Sequence, residues 1–199
     1  MNEKKFLTAI EPANREAVLA LKEKDVNAYK ALIKELKVIW VNRCRVWRGG
    51  SAIQSEDKPI KAWRARELGW KDKPGFVAVV ARVEKGSRKR RQFSGGRKPS
   101  KAYSYTNQDK SKQTMAEERV NRKFPNCEVL GSYWLWEDGQ YKYYEVILVD
   151  PNNPHVKNDK EINWVCDAMQ RGRVYRGLTP SAKKSRGLRT RGKGSEKAR

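Results

Sequence analysis

Between Lys85 and Lys101 the chain carries eight cations and no acid, set among Gly, Ser and Pro residues that leave no helical or strand period. Arg88, Lys89, Arg90, Arg91, Arg97, Lys98 and Lys101 suit phosphate oxygens, and the segment reads as a phosphate-binding loop. A second cationic stretch closes the chain: Arg171 to Arg199 holds eleven Lys/Arg and a single acid, Glu196. Its Arg171, Arg173, Arg176, Lys183, Lys184, Arg186, Arg189 and Arg191 accompany too little apolar content to fold alone. An extended tail that orders by threading between nucleic-acid helices is expected. From Trp40 to Trp63, cations and aromatics interleave, with Arg43, Arg45 and Arg48 around Trp47, and Arg64 and Arg66 following. Guanidinium groups in such a run reach phosphates while the indoles stack on unpaired bases. Trp40 and Trp47, seven apart, fit one face of a core helix equally well, and both readings stay open.

Other chemistry is sparse. His155 is the only histidine, and neither a P-loop nor a GxGxxG is present. Cys44, Cys127 and Cys166 are odd in number and widely spaced, which argues against a disulfide framework and a zinc site. Glu117 and Glu118 are adjacent on a predicted helix and do not share a face. A two-metal site from Asp138, Glu145, Asp150 and Asp159 would need a turn and the far end of a strand pair to converge. No enzyme is expected. No apolar run approaches the length of a bilayer span, and the stretch in MNEKKFLTAIEP is too short for a signal peptide, so neither membrane nor export is expected.

The elements that must position these cations centre on residues 129–150. Two β-rich runs flank Glu137-Asp138-Gly139-Gln140, and Asp-Gly predicts a hairpin turn whose central residues accept positive φ. Tyr133, Trp134, Trp136, Tyr143 and Tyr144 make this hairpin the densest apolar block of a chain with mean hydropathy -0.93. Phe76 to Val83 reads as a buried strand after the Lys73-Pro74-Gly75 turn. The predicted fold class is α+β: a small antiparallel sheet of strands about 76–84, 128–136 and 141–149, covered by a helix about 108–124 that carries Arg119 and Arg122 outward. Short helical pieces are expected over 12–40, with Asp25 as a cap between two of them, and over 61–68. Residues 1–40 hold eight Lys/Arg against six Asp/Glu, a balance suited to packing on protein. The organisation expected is a helical segment 1–57, an α+β core 58–170 with a basic loop 85–107, and an extended basic tail 171–199.

With 45 Lys/Arg against 23 Asp/Glu and a formal net charge of +22, the chain requires a polyanionic partner. Long stretches also resemble one family. LGWKDKPGFVAVVARVEKGSRKR, AEERVNRKFPN, VLGSYWLWEDGQYKYYEVILVDP, NWVCD and RGRVYRGLTPSAKKSRGL are similar to the fifteen-e family of large-subunit ribosomal proteins of archaea and eukaryotes. That family is distinct from the bacterial protein of the same number. The resemblance covers roughly three quarters of the chain, fades before about residue 57, and in the form of the tail points to an archaeal member. It implies a structural, non-enzymatic component that binds and stabilises large-subunit rRNA beside neighbouring large-subunit proteins. The expected setting is cytoplasmic and ribosome-bound, with no membrane and no small-molecule substrate. No cofactor is implied beyond structural Mg2+ or K+ carried by the rRNA. A basic architectural or chromatin DNA-binding protein is the alternative that bulk charge alone permits.

Overall fold

The computed structural model describes Leu7 and residues 10–89 and 105–189. Helix α1, Pro12–Lys24, has Pro at its first turn and buries none of its residues. Asp25 separates it from α2, Val26–Gly49, by accepting hydrogen bonds from the Asn27 and Ala28 amides at 2.8 and 3.1 Å, the capping role its side chain predicts. The second half of α2 buries Trp40, Cys44 and Trp47 in the main core. A boundary at residue 57 therefore divides the core, because α2 lies wholly before it and buries these residues against side chains that lie after it.

The strands are β1, Ile53–Glu56, β2, Phe76–Glu84, β5, Glu128–Glu137, and β6, Tyr141–Val149, in the antiparallel order β1-β2-β6-β5. The three expected strands are present. β1 is not among the expected strands, since a four-residue edge strand with one apolar side chain has no alternation to read. Between β2 and β5 a two-residue ladder joins β3, Arg88–Lys89, to β4, Tyr105–Thr106, so the two ends of the basic loop are paired although its composition predicts no strand. Helix α4, Lys112–Lys123, starts four residues later than expected, where Ser111 accepts from the Thr114 amide.

Both faces of the sheet are covered, where one covering helix is expected from sequence. Along the central strand β6, Tyr144, Val146 and Leu148 meet Ala116 and Val120 of α4 together with Val79, Ala81 and Val129. The alternate residues Tyr143, Ile147 and Val149 meet α2, Trp70 and the segment containing Ile162 and Val165. Trp40 stacks on Trp136 at 5.2 Å and Trp47 lies 5.3 Å from the Tyr143 ring. Offset aromatic packing of this kind adds to area burial, and it decides between the two readings of these tryptophans: both are core. Arg82 of β2 donates to the Trp47 and Arg48 carbonyls at the end of α2, a favourable place for a cation. The β5–β6 turn does not use positive φ at Asp138 or Gly139. The Asp138 carboxylate instead accepts from the Gln140 and Tyr141 amides and the Tyr143 hydroxyl.

β5 is an edge strand with bulges between Val129 and Gly131 and between Trp134 and Trp136. Its outward carbonyls meet side chains from other elements. Arg173 donates to the Val129 and Leu130 carbonyls at 2.5 and 3.1 Å, Gln113 to Ser132 at 2.9 Å, and Lys61 to Trp134 and Leu135 at 3.1 Å each. Lys61, just before α3, Ala62–Glu67, is 2% exposed. Behind it Glu145 of β6, fully buried, accepts from the Ile60 and Lys61 amides at 2.8 and 3.4 Å. Burial raises the Glu145 pKa against the pull of those amides and of Tyr133. Burial likewise lowers the Lys61 pKa to about 8, with Glu145 acting against the shift and Arg64 and Arg15 adding to it.

Because the folded pKa lies below the ordinary 10.5, the unfolded chain binds more protons between those values, and stability rises with pH across that window. Below about 8 the cost of burying the ammonium is present in full. Lys61→Met removes this titration. The unfolding free energy of the parent relative to Lys61→Met, from urea melts, is expected to grow by roughly 3 kcal/mol between pH 7 and the top of the window.

The segment from 171, expected to be extended, folds against the core as far as the described residues reach, to 189. Val174 and Ala182 are buried, and α6, Pro180–Ser185, is capped by Thr179. The anchor is Glu117 of α4, fully buried and accepting from Ser132, Thr179 and Ser181, the last two at 2.7 Å. The carboxylate satisfies three hydroxyls that share little apolar area, a contact that composition does not reveal. Replacing Glu117 with Ala leaves those hydroxyls without their acceptor and is expected to lower the unfolding free energy by at least about 2 kcal/mol. Urea melts read that decrease, and trypsin should cut at Lys183 and Arg186 sooner than in the parent.

Candidate nucleic-acid interface

Three acids of this chain are spent inside it. Glu117, Glu128 and Glu145 are buried, Glu128 accepting from the Gly172 amide at 2.8 Å. Asp138 is held in the hairpin turn: burial raises its pKa, and the Tyr141 amide, Tyr143 hydroxyl and Gln140 amide outweigh that, so it stays below the usual carboxylate range. Asp159 pairs with Lys71 at 2.6 Å. Asp138, Glu145 and Asp159 thus have separate structural partners, and among the described residues no three His, Cys, Asp or Glu side chains are grouped to hold a metal ion. His155 is exposed at the start of α5, Pro154–Lys157. Cys44 is buried and Cys127 and Cys166 are half-buried, all three free thiols, and burial raises the pKa of each.

The exposed cations fall on neighbouring elements. α6 lies against α4 through Thr114 with Ser181, at 3.4 Å, and the Ser111 amide with the Ser185 hydroxyl, at 2.9 Å. Lys112 of α4 donates to the Gly86 carbonyl beside β3. These contacts bring Arg119 and Arg122 of α4, Lys183 and Lys184 of α6, and Arg88 and Lys89 of β3 onto one connected region, and all six are exposed. Arg186 and Arg189 follow α6, and Arg171 and Arg176 precede it, all exposed; Arg176 donates to the Met169 and Arg171 carbonyls.

A second exposed set lies on α2 and α3. Arg43 packs over the Trp40 ring at 5.2 Å, Arg45 is 3.4 Å from the Asn42 amide oxygen, and Arg48 is 3.6 Å from Asp138. On α3, Arg64 pairs with Glu67 and Arg66 is exposed. The arrangement leaves these cations facing solvent, Arg48 and Arg64 beside an acid and Arg43, Arg45 and Arg66 without an ion pair among the described residues, a form that suits a polyphosphate surface.

One expected site residue does not belong to this surface. Arg173 is 6% exposed, its guanidinium committed to two β5 carbonyls and lying 4.8 Å from the Trp164 ring. Its place in RGRVYRG makes it look like its exposed neighbours, yet Val174 beside it turns inward. Tyr133, Trp136, Tyr143 and Tyr144 of the hairpin are buried and Trp134 half-buried. Arg90, Arg91, Arg97, Lys98, Lys101 and Arg191 lie outside the described residues. Sequence reasoning missed Tyr105, 62% exposed and directly opposite Lys89 in the β3–β4 ladder. Its signal is an aromatic placed just after a cationic run.

The profile of the family described as Ribosomal L15 matches residues 21–199. The chain belongs to this ribosomal L15e family. It is similar to the large ribosomal subunit protein eL15 of Thermoplasma volcanium, 46% identical over 170 residues, which span 84% of this chain and 86% of that protein. It is also similar to the large ribosomal subunit protein eL15 of Nanoarchaeum equitans, 48% identical over 171 residues, 86% of this chain and 90% of the relative. The L15e match takes in α2, the whole sheet and both exposed cationic sets. It starts upstream of the position near 57 where the resemblance is expected to fade, and leaves the first nine of the thirteen residues of α1 outside it.

Proposed function

We propose that this chain is a structural, non-enzymatic constituent of the large ribosomal subunit that binds and stabilises large-subunit rRNA beside neighbouring subunit proteins. The observation that carries the reading is the set of exposed cations on the adjoining elements α4, α6 and β3 and on α2 and α3, with Glu117, Glu128 and Glu145 turned inward onto amides and hydroxyls. In this reading the exposed arginines and lysines displace counterions from the rRNA backbone, while the two-faced core holds them in fixed relative positions. The chain works in the cytoplasm as part of the ribosome and needs no cofactor of its own, any Mg2+ or K+ being carried by the rRNA. The names of the two relatives support the subunit assignment.

On a sucrose gradient at moderate salt the chain is expected in the large-subunit and whole-ribosome fractions, and absence from both would sink the reading. Replacing Arg119, Arg122, Lys183 and Lys184 by Gln should flatten the salt dependence of rRNA binding, log K against log salt, by roughly 0.7–0.9 for each phosphate those side chains neutralise. A slope equal to the parent's removes α4 and α6 from the interface.

A further inference from the structure

A cleft of about 340 Å³ lies between the start of α1, helix α3 and strand β5, within the size range of small-molecule sites. Three cations line it: Arg15 of α1, Lys61 and Arg64. The one acid among its lining residues is Glu67, which takes a guanidinium N–H of Arg64. Arg15 is fixed by its Nε, which donates to the Leu7 and Ile10 carbonyls at 2.8 and 3.1 Å. No described residue takes its Nη groups, which remain available to a ligand. Trp63 stands in the same cleft, its indole N–H buried and without an acceptor among the described residues. The Trp63 ring has no ring or cation contact among them either, whereas Trp134 next to it is engaged by Trp136 and Lys61.

An indole with no ring or cation partner among the described residues, beside converging cations, matches the two halves of a nucleotide: a π surface and a phosphate. We propose that this cleft binds a single unpaired nucleotide of RNA, its phosphate on Arg15 and Arg64 and its base against Trp63. The inference deepens the rRNA-binding reading and rests on it. An acidic peptide satisfies the cations equally but leaves the indole face empty, so the base is the better occupant. Arg15 and Arg64 also act to lower the Lys61 pKa, a like-charge strain that an anion in the cleft relieves. Arg15 lies outside the matched family span, which begins at residue 21. One wall of the site is therefore supplied by the part of this chain that the family profile does not cover.

The test is a titration of the full-length, ¹⁵N-labelled protein, following the tryptophan indole N–H resonances, with Trp63→Phe assigning the Trp63 signal. AMP is expected to move that resonance, and ribose 5-phosphate to bind at least about fivefold more weakly, because it lacks the stacking base. Arg15→Gln should weaken AMP about tenfold, the effect of removing one charge-assisted hydrogen bond. The proposal is overturned if AMP leaves the Trp63 resonance unmoved, if ribose 5-phosphate matches AMP, or if a Glu-Asp hexapeptide moves the resonance and AMP does not. Sedimentation with large subunits is read separately. If it persists while AMP has no effect on the indole, the cleft reading falls and the ribosomal one stands.

Discussion

The structure depends on how the outer edge of β5 is closed. An edge strand presents unpaired carbonyls, and each bulge turns further ones out of the ladder. In this chain the carbonyls at 129, 130, 132, 134 and 135 are taken by Arg173, Gln113 and Lys61. Each donor belongs to a different part of the chain: the segment before α3, helix α4 and the C-terminal segment. Closing the edge thus docks three elements onto the sheet in one operation. It also prevents the pairing with another chain that an open ten-residue strand invites.

Two kinds of cation follow from this. Lys61 and Arg173 are buried among carbonyls and aromatic rings, where the partial negative charge of neutral groups holds them in place. The other cations face outward on α2, α3, α4 and α6. The carboxylates divide the same way, with Glu117, Glu128 and Glu145 fixing amides and hydroxyls rather than neutralising surface arginines. With these three acids inside, the excess of cations over acids on the surface is larger still. It becomes available to a polyanion.

Much of the core is legible in the sequence. The runs at 76–84, 128–137 and 141–149 announce strands because both faces of the sheet are buried and nearly every position is apolar or aromatic. Asp25 is readable as a cap because its contacts are local. Long-range polar pairing is what sequence does not reveal. Glu117 looks like any helix-surface carboxylate until Thr179 and Ser181 arrive from more than sixty residues away, and Arg173 looks like its exposed neighbours until the bulged strand is in place. The C-terminal segment reads as extended for that reason: it has too little apolar surface to fold by burial alone, and it is held by long-range polar contacts at Glu117, at Glu128 and through Arg173 on β5. The exposed cations are identifiable by type, while their grouping is not, since it depends on α6 returning to α4.

A chain of net charge +22 repels itself most where its cations are closest, and the compact state bears that cost. Whatever neutralises the outer set relieves it, so binding of RNA stabilises the fold by linkage as well as by contact. The inner cations, being held by carbonyls, stay in place whether or not RNA is present, and the edge of β5 remains closed in the free chain. Stability is thereby divided: a core whose polar contacts are made within the chain, and a charged surface whose favourable state is the bound one. The segment 171–189, joined to the core by Glu117, Glu128 and Arg173 while its other arginines face outward, sits at the junction of the two.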